Sequence, residues 1–189
     1  MKQLLIGVVL GWASGAAAIA IGAAVVISLG LFDVSATTPH LRWFGWLVHR
    51  TMIRSVQVRA SNNAPHRFST GDVAKGFRLY DAHCAVCHGG PGISRAHWVD
   101  GLTPTPPYLL DAARQWSPSE VHFIVANGIK MTAMPGWKLS LSDRDIWNLA
   151  AFVGALHGMS AASYLHLRET LRLGQRDTMP GQNNAFKRP

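Results

Sequence analysis

Cys84, Ala85, Val86, Cys87 and His88 follow one another and bring two thiols and an imidazole into one short stretch. Two cysteines three positions apart can each form a thioether with a vinyl group of one porphyrin. The imidazole of the next residue can then reach the iron from one face, and C-x-x-C-H is the pattern of covalent haem attachment. Other uses of such a pair fit less well. A structural zinc site takes four ligands, usually from two cysteine pairs, and Cys84 and Cys87 are the only cysteines in the chain. A thioredoxin-like dithiol belongs near a strand-helix-strand pattern, whereas the surrounding sequence reads as helical. The expectation is one haem c, bound through Cys84 and Cys87, with His88 as an iron ligand.

Such a ligand has to be held in place. Leu102 to Leu109 contains Pro104, Pro106 and Pro107. A rigid loop of this kind can set a backbone carbonyl against Nδ1 of His88, which fixes the ring and raises its donor strength. Pro107 is the candidate for that carbonyl. Gly89-Gly90-Pro91-Gly92 predicts a turn away from the haem. Upstream, Thr70 can cap a helix through Asp72 and onward, and in it Gly76 and Tyr80 share a side because a spacing of four brings positions together. Ser117-Pro118-Ser119-Glu120 supplies a Ser cap, a Pro at the first helical position and a Glu at the third. Val121, Ile124 and Val125 form the stripe expected to be buried, and Asn127-Gly128 stops that helix. An irregular loop from Ile129 to Trp137 carries Met131 and Met134. Ser142 and Asp145 predict a second capping box ahead of Ile146, Leu149, Phe152, Val153 and Leu156, which repeat at helical spacing. Gly158 can close this helix. A further short helix is predicted from about Ser160 to Leu173, with a polar tail from Gly174.

From Gln3 to Phe32 no residue is charged, and roughly 20 apolar residues suffice for a helix to cross a membrane. A cleaved secretory signal is the alternative, with Lys2 as its positive start and Val34-Ser35-Ala36 as a small-residue cleavage site. A signal's apolar region is typically only about 7 to 15 residues, so a retained anchor over residues 1–33 is expected. Gly7, Gly11 and Gly15 line one face of it, which permits close approach of another membrane helix. Residues 34–68 read as a juxtamembrane segment and linker. Between His40 and Ala60, Trp43, Phe44, Trp46 and Leu47 lie among arginines, as in a helix at headgroup level or a docking surface for a membrane partner. His40 and His49 read there as solvated or hydrogen-bonded side chains, and Ser61-Asn62-Asn63-Ala64-Pro65 as a turn-rich linker.

Charge alone would orient the segment the other way, since Lys2 precedes it while Arg42, Arg50, Arg54, Arg59 and Arg67 follow. Covalent haem attachment takes place on the outer side of the bacterial cytoplasmic membrane, so the part after about Asp33 is expected in the periplasm. The formal charge of +8 is spread over the chain after its first apolar segment. Without a binding motif it gives no reason to expect nucleic acid. It suits anionic lipid or an acidic redox partner.

The stretch from about Ser69 to Gly158 resembles the class I c-type cytochromes, in particular the monohaem modules of bacterial respiratory complexes. The most specific pieces are Cys84 to His88 and the run Gly128-Ile129-Lys130-Met131-Thr132-Ala133-Met134-Pro135-Gly136-Trp137. The resemblance implies Met134 as the second axial ligand, ahead of Met131, and Pro107 as the proline supporting His88. It implies a crossing of first and last helices through Gly76 and Tyr80 on one side and Leu149 and Phe152 on the other. The stretch between His88 and Pro107, with His97 and Trp98, is longer than the family pattern.

The implied fold is all-α: an N-terminal transmembrane helix, a small cytochrome c helical domain at 69–158 around one covalent haem, and a short helix with a basic tail at 159–189. Imidazole and thioether ligands leave no open position on the iron, and Met/His ligation raises its potential. Packing of the porphyrin against Ile124, Met131 and Trp137 would favour the ferrous state further. The expected function is single-electron transfer, without an enzymatic activity of its own, between a membrane-bound donor and a downstream acceptor. The donor would be a dehydrogenase or quinol-oxidising complex, with the chain as a subunit of a larger assembly at the inner membrane. Two alternatives differ in class: an open-iron sensor or peroxide-reducing enzyme if Met134 is not bound, or chiefly a structural anchor.

Overall fold

The computed structural model describes residues 1–60 and 68–177, with the backbone alone from 172. The linker expected at Ser61 to Pro65 and the tail from residue 178 lie outside the described residues. The chain divides into two units at Pro39. In the first, the uncharged run forms helix α1 (Lys2–Ser28), none of whose residues is buried. At about 1.5 Å per residue its 27 residues exceed what the roughly 30 Å hydrocarbon core of a bilayer requires. By length and composition α1 can cross a membrane.

The second unit contains α2 (Arg42–Arg59), α3 (Thr70–His83), α4 (Ala85–His88), α5 (Ala112–Gln115), α6 (Pro118–Asn127), α7 (Asp143–Ala155) and α8 (Ala161–Asp177). Short 3-10 turns lie at His97–Gly101, Trp137–Leu139 and Leu156–Gly158. Among the described residues there is no strand, only a bridge pairing Gly90 with Ile93.

The core is the crossing of α3 and α7. It is possible because position 76 has no side chain: a Cβ on Gly76 would run into the backbone carbonyl of Asn148 and the Cβ of Phe152. With the two backbones this close, the aromatic rings interlock. Phe77 and Tyr80 meet Phe152 with ring centroids 5.4 and 5.1 Å apart, in the tilted and edge-on arrangements that ring quadrupoles favour. Tyr164 of α8 closes the cluster against Phe77 at 5.2 Å and is fully buried. Arg168, one turn further along α8, pairs with Asp81 of α3 at 2.8 Å.

The helix starts follow the sequence with two differences. Ser69, rather than Thr70, caps α3: its hydroxyl accepts from the Asp72 N–H at 3.1 Å and the Asp72 carboxylate accepts from the Ser69 N–H at 2.9 Å. Ser117 and Glu120 form the same reciprocal pair at α6, with Pro118 in its first turn. At α7 the Ser142 hydroxyl accepts from the Asp145 N–H, but the Asp145 carboxylate takes the Ser142 hydroxyl instead of the backbone N–H. That box is half closed. At the other end α7 stops at Ala155, and Leu156–Gly158 is a 3-10 turn. Helix α8 runs beyond Leu173 and includes Gly174, where the sequence places the start of the polar tail.

The larger departure is α2. The sequence puts residues 34–68 into a juxtamembrane segment and linker, whereas α2 packs on α6 and buries Val56. Met52, Ile53 and Val56 share one face of the helix. Trp43, Trp46 and Leu47, near its start, remain exposed.

Candidate functional site

Helix α3 delivers the chain to Cys84, and the next turn gathers the chemistry. The N–H groups of Cys87 and His88 both donate to the carbonyl of Cys84, at 3.1 and 2.9 Å, so all three functional side chains spring from a single turn. The Tyr80 hydroxyl donates to the carbonyl of Gly89 at 2.8 Å and ties the far end of that turn to the core. Burial pushes the Tyr80 phenol well above its ordinary value, so it stays a donor.

His88 Nδ1 donates to the carbonyl of Pro107 at 2.7 Å. A carbonyl only accepts, so the proton is on Nδ1 and the lone pair on Nε2. Burial lowers the pKa of His88, opposed by the Pro107 carbonyl and aided by the positive charge of Arg95. A neutral imidazole with a free Nε2 is the form that can bind a metal. Burial, with a smaller contribution from Cys87, pushes the Cys84 thiol up to about 12.

The long stretch between His88 and Pro107 is not slack. Arg95 donates through Nη1 to the carbonyl of Pro106 at 2.6 Å and through Nε to Asp100 at 2.8 Å. Its guanidinium lies 4.7 Å from the centre of the Tyr108 ring. Arg95 therefore braces the loop on which Pro107 sits. Sequence reasoning missed it, because nothing in the local pattern distinguishes this arginine from the others.

Cys84, Cys87, His88 and Pro107 line a cavity of about 370 Å³, and Met134 lines it too. The loop carrying Met134 is folded on itself. Gly128 ends α6 at φ 68° with no room for a Cβ against the Met134 carbonyl, a conformation glycine adopts without strain. The Ile129 N–H donates to the Met134 carbonyl at 3.1 Å. The Thr132 hydroxyl donates to the Ile129 carbonyl and accepts from the Met134 N–H. Met131, in contrast, is 92% exposed and is not part of the wall. The expected packing of Met131 on the porphyrin is thereby corrected, while Ile124 and Trp137 do line the cavity.

The residues present fit a haem: two thiols on one turn, an imidazole with its lone pair free, a thioether, and walls that are otherwise largely apolar. Among the described residues no three His, Cys, Asp or Glu side chains gather as an all-protein metal site would require. The cavity has one further contribution that the sequence did not suggest. His49 and Met52 of α2 line it as well.

Residues 71–153 match a family model described as cytochrome c oxidase, cbb3-type, subunit III. The Cbb3-type cytochrome c oxidase subunit CcoP of Azospirillum sp. (strain B510) is 36% identical over 91 residues, 47% of this chain and 30% of that protein. A thiosulfate dehydrogenase of Stutzerimonas stutzeri (strain A1501) is 32% identical over 98 residues, 51% of this chain and 31% of that protein. A second thiosulfate dehydrogenase, of Thiomonas intermedia (strain K12), is 29% identical over 98 residues, 51% of this chain and 31% of that protein. The chain thus spans under a third of the length of these relatives. Helix α2 lies outside the part matched by the family model.

Proposed function

From the premise that residues 71–153 are a c-type cytochrome module, we propose that the chain is a membrane-anchored monohaem electron carrier serving a larger respiratory complex. Cys84 and Cys87 carry the two thioether links. His88 Nε2 and the Met134 sulfur would hold the iron, and the Pro107 carbonyl holds the His88 ring. The bound haem supplies a one-electron ferric/ferrous couple. The single observation that carries this reading is the 2.7 Å bond from His88 to Pro107, which leaves a metal-binding nitrogen free on a residue that lines one cavity with both cysteines and Met134.

What the chain itself does follows from that arrangement. With His88 and Met134 both holding the group, the protein would leave no place on it for a reactant, and the module would exchange electrons rather than make or break a substrate bond. The largely apolar wall favours the less charged ferrous state, and thioether ligation raises the potential in the same direction. Ligands that stay in place through the redox step keep reorganisation small. The Pro107 carbonyl and the Arg95 brace serve that end on the His88 side. The name of the CcoP relative, an oxidase subunit, supports a downstream acceptor within a membrane complex, with a dehydrogenase or quinol-oxidising complex upstream.

Helix α1 anchors the module to the bacterial inner membrane, with the haem on the periplasmic side. Gly7, Gly11 and Gly15 offer its closest approach to a partner helix, and Trp43 and Trp46 suit the headgroup level.

Replacing both cysteines, Cys84→Ala with Cys87→Ala, should leave no haem stain on a denaturing gel, because noncovalent haem washes away. Colour that persists would overturn the attachment. Washing membranes with high salt should leave the protein bound and detergent should release it; release by salt alone would show that α1 is not holding it. The thiosulfate dehydrogenase relatives favour one second reading, an enzyme acting on thiosulfate. The purified haem protein should stay ferric with thiosulfate as its only reductant; reduction of the haem by thiosulfate, with turnover once an external electron acceptor is added, would establish the enzyme instead.

A further inference from the structure

Helix α2 precedes the cytochrome module and lies outside the stretch matched by the family model, yet it contributes to the wall of the cavity. Its Met52, Ile53 and Val56 face inward; Val56 is 2% exposed and the helix rests on α6. His49, one turn before Met52 and Ile53, reaches the rim of the same cavity.

A haem brings two propionate carboxylates to this cavity, and a carboxylate at the edge of an apolar wall needs a hydrogen-bond donor. Three polar side chains along the wall are already engaged, and the indoles of Trp116 and Trp137 line it as well. The His88 ring is held by Pro107, the Thr132 hydroxyl donates to Ile129, and the Thr105 hydroxyl donates to Leu102. His83 directly precedes Cys84 and faces the Trp137 ring at 5.1 Å, which puts it at the thioether edge. On a porphyrin the propionates are on the edge opposite the vinyl groups, away from that position. His49 comes from another direction, carried by a helix that packs on α6, and its imidazole bears an N–H in either protonation state.

We infer that α2 is a built-in wall of the haem cavity and that His49 is a cofactor-binding residue, donating its ring N–H to a haem propionate. The inference rests on the haem reading above. Under it, the segment between anchor and module covers the propionate edge and compensates its negative charge. Losing the donor leaves that charge less compensated, which favours ferric iron, so the potential falls.

The test uses the full chain with its covalent haem, purified in detergent, as wild type, His49→Leu and His49→Gln. Redox titration is combined with infrared difference spectra of the propionate carboxylates. His49→Leu should lower the midpoint potential and shift a propionate band without changing covalent haem content. His49→Gln, which keeps an N–H donor, should recover both at least in part. Val56→Asp, which should undock α2, is expected to reproduce the His49→Leu changes, and adding His49→Leu to it should change nothing further. Propionate bands and potential unmoved by His49→Leu would overturn the inference, as would a Gln variant indistinguishable from Leu. Absence of covalent haem from the wild type would instead sink the haem reading, so the two failures are told apart.

Discussion

Met134→Ala should empty one axial position of the iron and change three observables together. The weak red absorption band of sulfur on ferric iron should disappear. The ferrous protein, which in wild-type form should refuse carbon monoxide, should bind it. The midpoint potential should fall by something on the order of 0.2 V, a fraction of the roughly 0.8 V over which axial ligands tune haem proteins. The direction follows from replacing a thioether, which favours ferrous iron, by water or an empty site. Met131→Ala is the matched control, three positions away in the same loop but 92% exposed, and should leave all three observables unchanged. If Met131→Ala produces the changes and Met134→Ala does not, the ligand has been misassigned. If the wild type already binds carbon monoxide, the iron is open and the protein is a sensor or an enzyme acting at that position.

The discrimination between the two methionines shows where sequence and structure divide the labour. Both lie in one loop and both are common gap-fillers, so spacing nominates them only jointly, and the preference for Met134 comes from resemblance. The fold separates them physically: Met131 takes φ 60° and turns outward, while Met134 is pinned through the Thr132 hydroxyl. The site's local features were legible because each is encoded within a few residues. The cysteine turn, the Ser117–Glu120 box and the Gly128 stop are of this kind. Even the correct cap of α3 was available, since Ser69 with Asp72 satisfies the capping-box spacing that Thr70 does not.

What was not legible depends on distant partners. Arg95 braces Pro106 across 11 positions and Arg168 reaches Asp81 across 87, and neither has a local signature. Helix α2 is the most consequential case. It carries an aromatic face near its start and an aliphatic face nearer its end, and amphipathicity says that a face will be covered without saying by what. Reading the whole segment as interfacial uses the Trp residues and overlooks Val56. On that reading His49 is only a solvated or hydrogen-bonded side chain.

Gly76→Leu should be the most damaging single change outside the ligands. Overfilling a packed core ordinarily costs about 1–3 kcal/mol, because neighbouring side chains yield. Here the obstacle is the backbone carbonyl of Asn148 together with Phe152, so α3 and α7 must move apart as rigid bodies and the Phe77, Tyr80 and Phe152 rings lose their fit. The expected loss is roughly 4 kcal/mol or more, at the extreme of single-residue effects and a large part of the ~5–15 kcal/mol that holds a domain together. Gly76→Ala should fall between this and wild type. Gly154→Ala, on the exposed side of α7 with open space around it, should instead be neutral or stabilising by up to about 1 kcal/mol, since alanine favours the helix over glycine. Denaturant midpoints followed in the haem absorption check all three. An unchanged midpoint in Gly76→Leu would mean that the α3–α7 crossing is misplaced. The site would be undermined with it, because α3 ends at Cys84 and the Met134 loop is held between α6 and α7, so that crossing is what brings the two halves of the ligand set to one cavity.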